Sequence, residues 1–268
     1  MSEEEDAVGD LEDGGALAGI RWAGESAYGR LLEDYDPATG HDQGWIGYTA
    51  HKLLLDRLNR VFSCGPYAVG GGDAQAGLDV VAAGLGDTYL TMPRIPAGAV
   101  ALADLNKSPG WQSSTWRWLM ASYPHGTVDK IRWQQKSPTK RRVAAQPSPD
   151  APTLPFEELE AFEDFSSLIE PEGPGAADLI ARTLVLAHSV HPEFRVREFF
   201  IGRPRMNSDG GKAWWWRYDL LSSAPGAGGF APVSPQPAPL APSPHVVPDA
   251  PVRRRQKPQE ATGPEAIG

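Results

Sequence analysis

Three consecutive tryptophans, Trp214 to Trp216, stand inside the stretch "FRVREFFIGRPRMNSDGGKAWWWRYDLL", Phe194 to Leu221. Two apolar, strand-like runs flank an Asn/Asp/Gly-rich turn, the local chemistry of a β-hairpin. Successive side chains of a strand point to opposite faces, so three adjacent tryptophans cannot all enter one core. Any fold for this chain must bury one face of the hairpin and give the odd indole a neighbour or solvent. Trp214 and Trp216 are expected to cover a core while Trp215 meets a neighbour. The hairpin also reads as a basic wing whose indoles stack on unpaired bases, with Arg203, Arg205, Trp215 and Arg217 as a second binding surface.

Other elements follow from hydrophobic spacing. In "YTAHKLLLDRLNRVFSCG", Thr49 can cap a helix and Leu54, Leu55, Leu58, Val61 and Phe62 recur on one side. "DTYLTMPRI" and "GTVDKIRWQQK" read as short strands, the second with Val128, Ile131 and Trp133 as its apolar members. "FEELEAFEDFSSLI" and "GAADLIARTLVLAHSVHPE" read as helices, with His188 and His191 one turn apart on the second. The expected class is α+β, with two small helix-plus-β-hairpin modules and disordered termini. The boundaries are an acidic tail at 1–15, a first module at 16–143, a Pro-rich linker at 144–155, a second module at 156–222, and a disordered Pro/Ala-rich tail at 223–268.

Composition narrows the class of protein. A single cysteine, Cys64, excludes an intramolecular disulfide framework and a cysteine-rich zinc site. The start "MSEEEDAVGDLEDGG" has neither the basic nor the apolar region of a signal peptide, and no run of about 18 apolar residues predicts a membrane span. A cytoplasmic protein with no membrane partner is expected. The formal net charge of -9 is unevenly spread. Between Arg94 and Arg142 nine bases face two acids, a local charge of +7, while residues 1–13 and 157–172 each carry seven acids and no base. Such blocks mark either surfaces with different partners or simply solvated faces.

The basic block contains "LADLNKSPGWQSSTWRWLM", in which an apolar run breaks at Pro109-Gly110 before a tryptophan-rich segment. Leu102, Ala103, Asp104 and Leu105 open it, Gly110 stands ninth, and Ser114, Thr115 and Leu119 follow. Over these residues the chain resembles helix-turn-helix DNA-binding proteins, departing from their pattern at Asn106 and Trp118. The resemblance implies a turn with positive φ at Gly110 and Trp111, Trp116 and Leu119 in the core. It also implies Gln112, Ser113, Ser114 and Arg117 in the major groove. Lys130, Arg132, Lys136, Lys140, Arg141 and Arg142 would neutralise phosphates. The alternative is a core corner filled with tryptophan. Upstream, Tyr48, Asn59 and Phe62 lie at intervals similar to those in the opening helix of Rad52-type single-strand annealing proteins, and the other reading is an ordinary amphipathic helix.

Signals for catalysis are poor. "GGGDAQAG" lacks the Gly-Lys-Ser/Thr of a phosphate loop, and His41, His51, His125, His188 and His191 show no metal-ligand spacing. No metal or cofactor is expected. The preferred expectation is a non-catalytic DNA-binding protein, regulatory or linked to replication and recombination, taking double-stranded DNA before single-stranded. The alternatives are an assembly protein that docks protein partners or itself through exposed tryptophan and charged blocks, and, third, a nucleic-acid-processing enzyme.

Overall fold

Strand β4 (Thr183–His191) organises the fold because every residue from Thr183 to Val190 is buried. A strand covered on both faces reads as a continuous apolar run, which spacing alone does not separate from a buried helix. This is why "TLVLAHSVH" suggested a helix, and why His188 and His191 lie on opposite faces of a strand instead of one turn apart. The protein is described by a computed structural model that places residues 2–68, 78–149 and 182–222, all within one compact unit, Met1–Ala227. The expected acidic helix at 156–169, residues 150–155 of the linker and the tail from 223 lie outside the described residues.

The described strands form one six-stranded sheet in sequential order: β1 (Ala101–Leu102), β2 (Gly110–Gln112), β3 (Arg117–Ser122), β4, β5 (Val196–Pro204) and β6 (Trp214–Asp219). All neighbours pair antiparallel except β3 and β4, which run parallel in the register Arg117↔Thr183 to Ser122↔His188. The class is therefore α+β, but strands from both halves share one sheet and do not divide into two helix-plus-hairpin modules. Alternation across the sheet makes two cores. Trp118, Met120, Leu184, Leu186, Phe199 and Ile201 face a helical layer. Leu119, Ala121, Val185, Ala187, Phe200 and Trp214 face Val128, Ile131, Trp133, Val143 and Ala144.

The helical layer comprises α1 (Glu3–Asp13), α2 (Ala16–Asp34) and α3 (Gln43–Val61). The acidic start is not a tail. Ser2 and Glu5 form a capping box, four acids occupy the first turn where the helix dipole favours them, and Ala7 and Leu11 are fully buried. Glu3 reaches across to β5 and β6, accepting from Arg203 and from the Trp216 indole. Helix α2 has no single apolar stripe because it is enclosed on several sides, and its small residues admit neighbours closely. A Cβ on Gly24 would lie 2.7 Å from the Phe199 ring. The helix expected from Thr49 starts at Gln43, capped by Asp42, whose carboxylate accepts from the Trp45 N–H.

The stretch Leu102 to Leu119 is not a helix-turn-helix. It folds as β1, β2 and the start of β3, with Trp111 paired across from Trp118 and both indoles fully buried. The tight turn is at Asn106 and Lys107, which carry positive φ of 48° and 65° between the bridged residues Leu105 and Ser108. Gly110 is a glycine for another reason: a Cβ there would press on Leu119 and on the Ala103 carbonyl. Trp111, Trp116 and Leu119 are buried as expected, but from strands and a turn. Short apolar runs fit either period, and the edge of a sheet satisfies more backbone groups than two isolated turns of helix. "DTYLTMPRI" contains a 3-10 helix (Gly86–Thr91). "GTVDKIRWQQK" forms two 3-10 turns, with Val128, Ile131 and Trp133 buried. The stretch after it begins with a capped helix, α4 (Pro138–Ala144).

The hairpin β5–β6 forms as expected, and a bulge resolves its three tryptophans. Arg203 pairs with Trp216 and Pro204 with Trp214, leaving Trp215 as the extra residue. The bulge inverts the alternation. Trp214 enters the second core against Trp133, Trp216 packs on the first, and Trp215 is 40% exposed under the Arg205 guanidinium.

Candidate functional site

A cleft of about 650 Å³ opens at the C-terminal ends of β3 and β4. The two strands stay paired through Tyr123, whose N–H donates to the His188 carbonyl, and β3 then leaves the sheet through Pro124. On its other side β3 is covered by β2 only as far as Leu119, so the Ser122 carbonyl is free to accept from Lys136 Nζ at 2.6 Å. Helices α2 and α3 supply the opposite wall through Tyr28, Ile46 and Ala50, and the β4–β5 turn adds His191 and Glu193. The crevice is therefore where a parallel pair splays beneath two helices, a common location for ligands in sheets with parallel strands.

Its buried wall is a tyrosine–histidine pair. Tyr28 Oη lies 2.6 Å from His188 Nδ1, and both side chains are almost fully enclosed. Burial, reinforced by His51, Lys140 and Lys136, lowers the His188 pKa to about 3, so the imidazole is neutral at pH 7. Burial also holds the Tyr28 phenol well above its ordinary pKa. The phenol and the neutral imidazole therefore share one hydrogen bond through Nδ1, whose direction follows the imidazole tautomer. The His188 Nε2 is buried and has no hydrogen-bond partner. Behind it, Tyr123 rests against Ser189 and Glu198, the last already accepting from Ser189 and the Gly126 N–H.

Two lysines stand at this wall, Lys136 lining the cleft and Lys140 close beside it. Burial lowers the pKa values of Lys136, Lys140 and His51, and Lys140 disfavours the charge of both His51 and His188. None of Lys136, Lys140 and His51 takes part in an ion pair among the described residues. Among the described residues Glu193 is the one carboxylate lining the cleft, and it is exposed. The mouth is aromatic. Tyr35 lines it, backed by a His41–Trp45 stack with ring centroids 3.9 Å apart. Opposite in sequence, His125 and His191 meet edge to face and Phe194 leans on His191.

The residues singled out from sequence divide sharply. Arg117 is buried and donates to the Gln112 side chain, Ser113 closes the β2–β3 turn on Trp116, and of that group only Ser114 is exposed. They form no reading face. Lys136 and Lys140 are brought together beside the cleft, whereas Lys130, Arg132 and Arg141 are exposed, and Arg142 is half-buried. On the hairpin, Arg203 is buried against Glu3 and the Pro147 carbonyl, so it belongs to the interior. Arg205 pairs with Asp209, and Arg217 forms two hydrogen bonds to Asp129 while lying over Phe200. The residues sequence reasoning passed over are Tyr28, Tyr35 and the three histidines of the cleft, whose spacing fits no motif because four separate segments supply the walls. Among the described residues no group of three His, Cys, Asp or Glu could hold a metal ion, and no helix is long and apolar enough to cross a membrane. Comparison with known proteins identifies no relative: no protein-family model, curated protein or solved structure matches the chain.

Proposed function

We propose that the protein is a non-catalytic binder of an anionic ligand, held in the cleft between the C-terminal ends of β3 and β4 and helices α2 and α3. The observation that carries this reading is Lys136 lining the cleft with Lys140 close beside it, neither in an ion pair among the described residues. An uncompensated, partly desolvated cluster of cations is costly alone and is relieved by an anion. Recognition is favoured over chemistry because the buried groups are tuned away from reaction. A histidine with a pKa near 3 is a poor general base at neutral pH, and Tyr28 is raised away from the phenolate. Cys64, pushed up to about 11 by burial, is no better suited as a nucleophile.

Inorganic phosphate should therefore raise the thermal unfolding midpoint, by about 2.7 kcal/mol of added stability once its concentration reaches about 100 times Kd. Lys136→Met with Lys140→Met keeps the apolar stems and removes the charges. The double variant should fold and lose the phosphate response. An equal response in both proteins would overturn the assignment.

A second reading keeps DNA as the partner, supported by exposed Lys130, Arg132 and Arg141, none of which forms an ion pair among the described residues. Contact would run through phosphates, without the base-reading residues of a helix-turn-helix. Replacing all three by alanine should weaken binding to any duplex equally and reduce the slope of log affinity against log salt by about three contacts' worth. Unchanged salt dependence would remove this reading and leave the cleft untouched.

A further inference from the structure

Lys136 and several aromatic groups line one cleft, with Lys140 close beside it, and together they specify more than a bare anion. We propose that the ligand is a nucleoside phosphate, its phosphate neutralised by Lys136 and Lys140 and its base received by the aromatic mouth at Tyr35 and His191. The inference rests on the anion-binding reading and adds the class of ligand.

Three observations favour a planar ring joined to a phosphate. First, rings at the mouth come from both walls: Tyr35, at the end of α2, faces the cleft with the His41–Trp45 stack behind it, and His191 at the end of β4 is held by His125 and Phe194. Aromatic faces of this kind bind bases by stacking, with little regard to sequence because every base has a π-face. Second, the cleft carries groups able to read a base or ribose edge. Gln43 lines it with an amide that makes no hydrogen bond among the described residues, and His188 offers an unpartnered, buried Nε2 in the same wall. Third, a volume of about 650 Å³ exceeds what phosphate alone occupies and falls within the range of small-molecule sites. The exposed carboxylate of Glu193 at the rim would oppose a second or third phosphate, so the monophosphate is the form expected to fit best.

Isothermal titration of the full chain with adenosine 5′-monophosphate, uridine 5′-monophosphate, ribose 5-phosphate, adenosine and inorganic phosphate tests this directly. At least one nucleotide should bind ten-fold or more tightly than ribose 5-phosphate and than adenosine. Tyr35→Ala or His191→Ala should bring nucleotide affinity down to that of ribose 5-phosphate, and Lys136→Met with Lys140→Met down to that of the nucleoside. Thermal melting of each variant separates loss of binding from loss of fold, and Tyr35→Phe, which keeps the ring, should retain the preference. Equal affinity for both nucleotides, ribose 5-phosphate and phosphate would overturn the nucleotide assignment while leaving the anion site standing. Failure of every anion to bind would overturn both.

Discussion

Moving from pH 7 to pH 4.5 should destabilise the protein by about 2–3 kcal/mol through His188 alone. The folded state holds this imidazole neutral down to a pKa of about 3, whereas the unfolded chain protonates it near 6.5. Between those values unfolding takes up a proton, so the stability associated with the neutral ring is complete above pH 6.5 and declines as the pH falls. The slope is about 1.4 kcal/mol per unit for one proton. His51, lowered by burial and by Lys140 and Lys52, acts in the same direction. Urea unfolding at stepped pH checks it, comparing the parent with His188→Asn. The variant has no ionisable ring there, so its curve should be flatter by about one proton across this window, whatever its stability at pH 7. Parallel curves would mean that His188 is protonated in the fold or exposed to water.

Glu3→Ala should cost about 3 kcal/mol, a large effect for the third residue of a chain. The carboxylate accepts from two groups that α1 brings together on the sheet, the Arg203 guanidinium and the Trp216 indole N–H. Arg203 is 5% exposed, and burial disfavours its charge while Glu3 restores it. Removing one member of a buried pair costs about 3–5 kcal/mol, and the low end applies because the Pro147 carbonyl still accepts from Arg203. Glu3→Gln keeps an acceptor for the indole and should fall between parent and alanine. Deleting residues 1–15 should cost more still, because Ala7 and Leu11 leave the core as well. Denaturant midpoints of the three proteins settle it. A truncated chain that unfolds at the parental midpoint would show that α1 is not docked.

The N-terminal segment illustrates what was hard to read. Seven acids in thirteen residues resemble a solvated tail, and only the presence of Arg203 and Trp216 some two hundred residues away makes Glu3 a structural contact. The strand β4 was legible as apolar and mistaken in period, because burial on both faces removes the alternation that marks a half-exposed strand. The tryptophan hairpin was legible as a hairpin because its turn chemistry is local, and the odd indole at Trp215 could be foreseen, but the bulge that sends Trp214 and Trp216 to opposite cores could not. Of the cleft, the basic residues Lys136 and Lys140 were visible as charge. Their partners were not, because Tyr28, Tyr35, His125 and His188 converge from distant segments with no fixed spacing.

By itself the sequence determined those features that depend on neighbours a few residues apart. They are the mixed α+β class, the β5–β6 hairpin, and the helix around Leu54 and Leu58. Tertiary structure alone decided that Leu102 to Leu119 became strands. It also set β3 parallel to β4, enclosed a neutral histidine against a tyrosine, and brought Lys136 and Lys140 together at one cleft. Those outcomes depend on contacts between residues far apart in the chain, whose free energy exceeds the small differences in local propensity that a sequence displays.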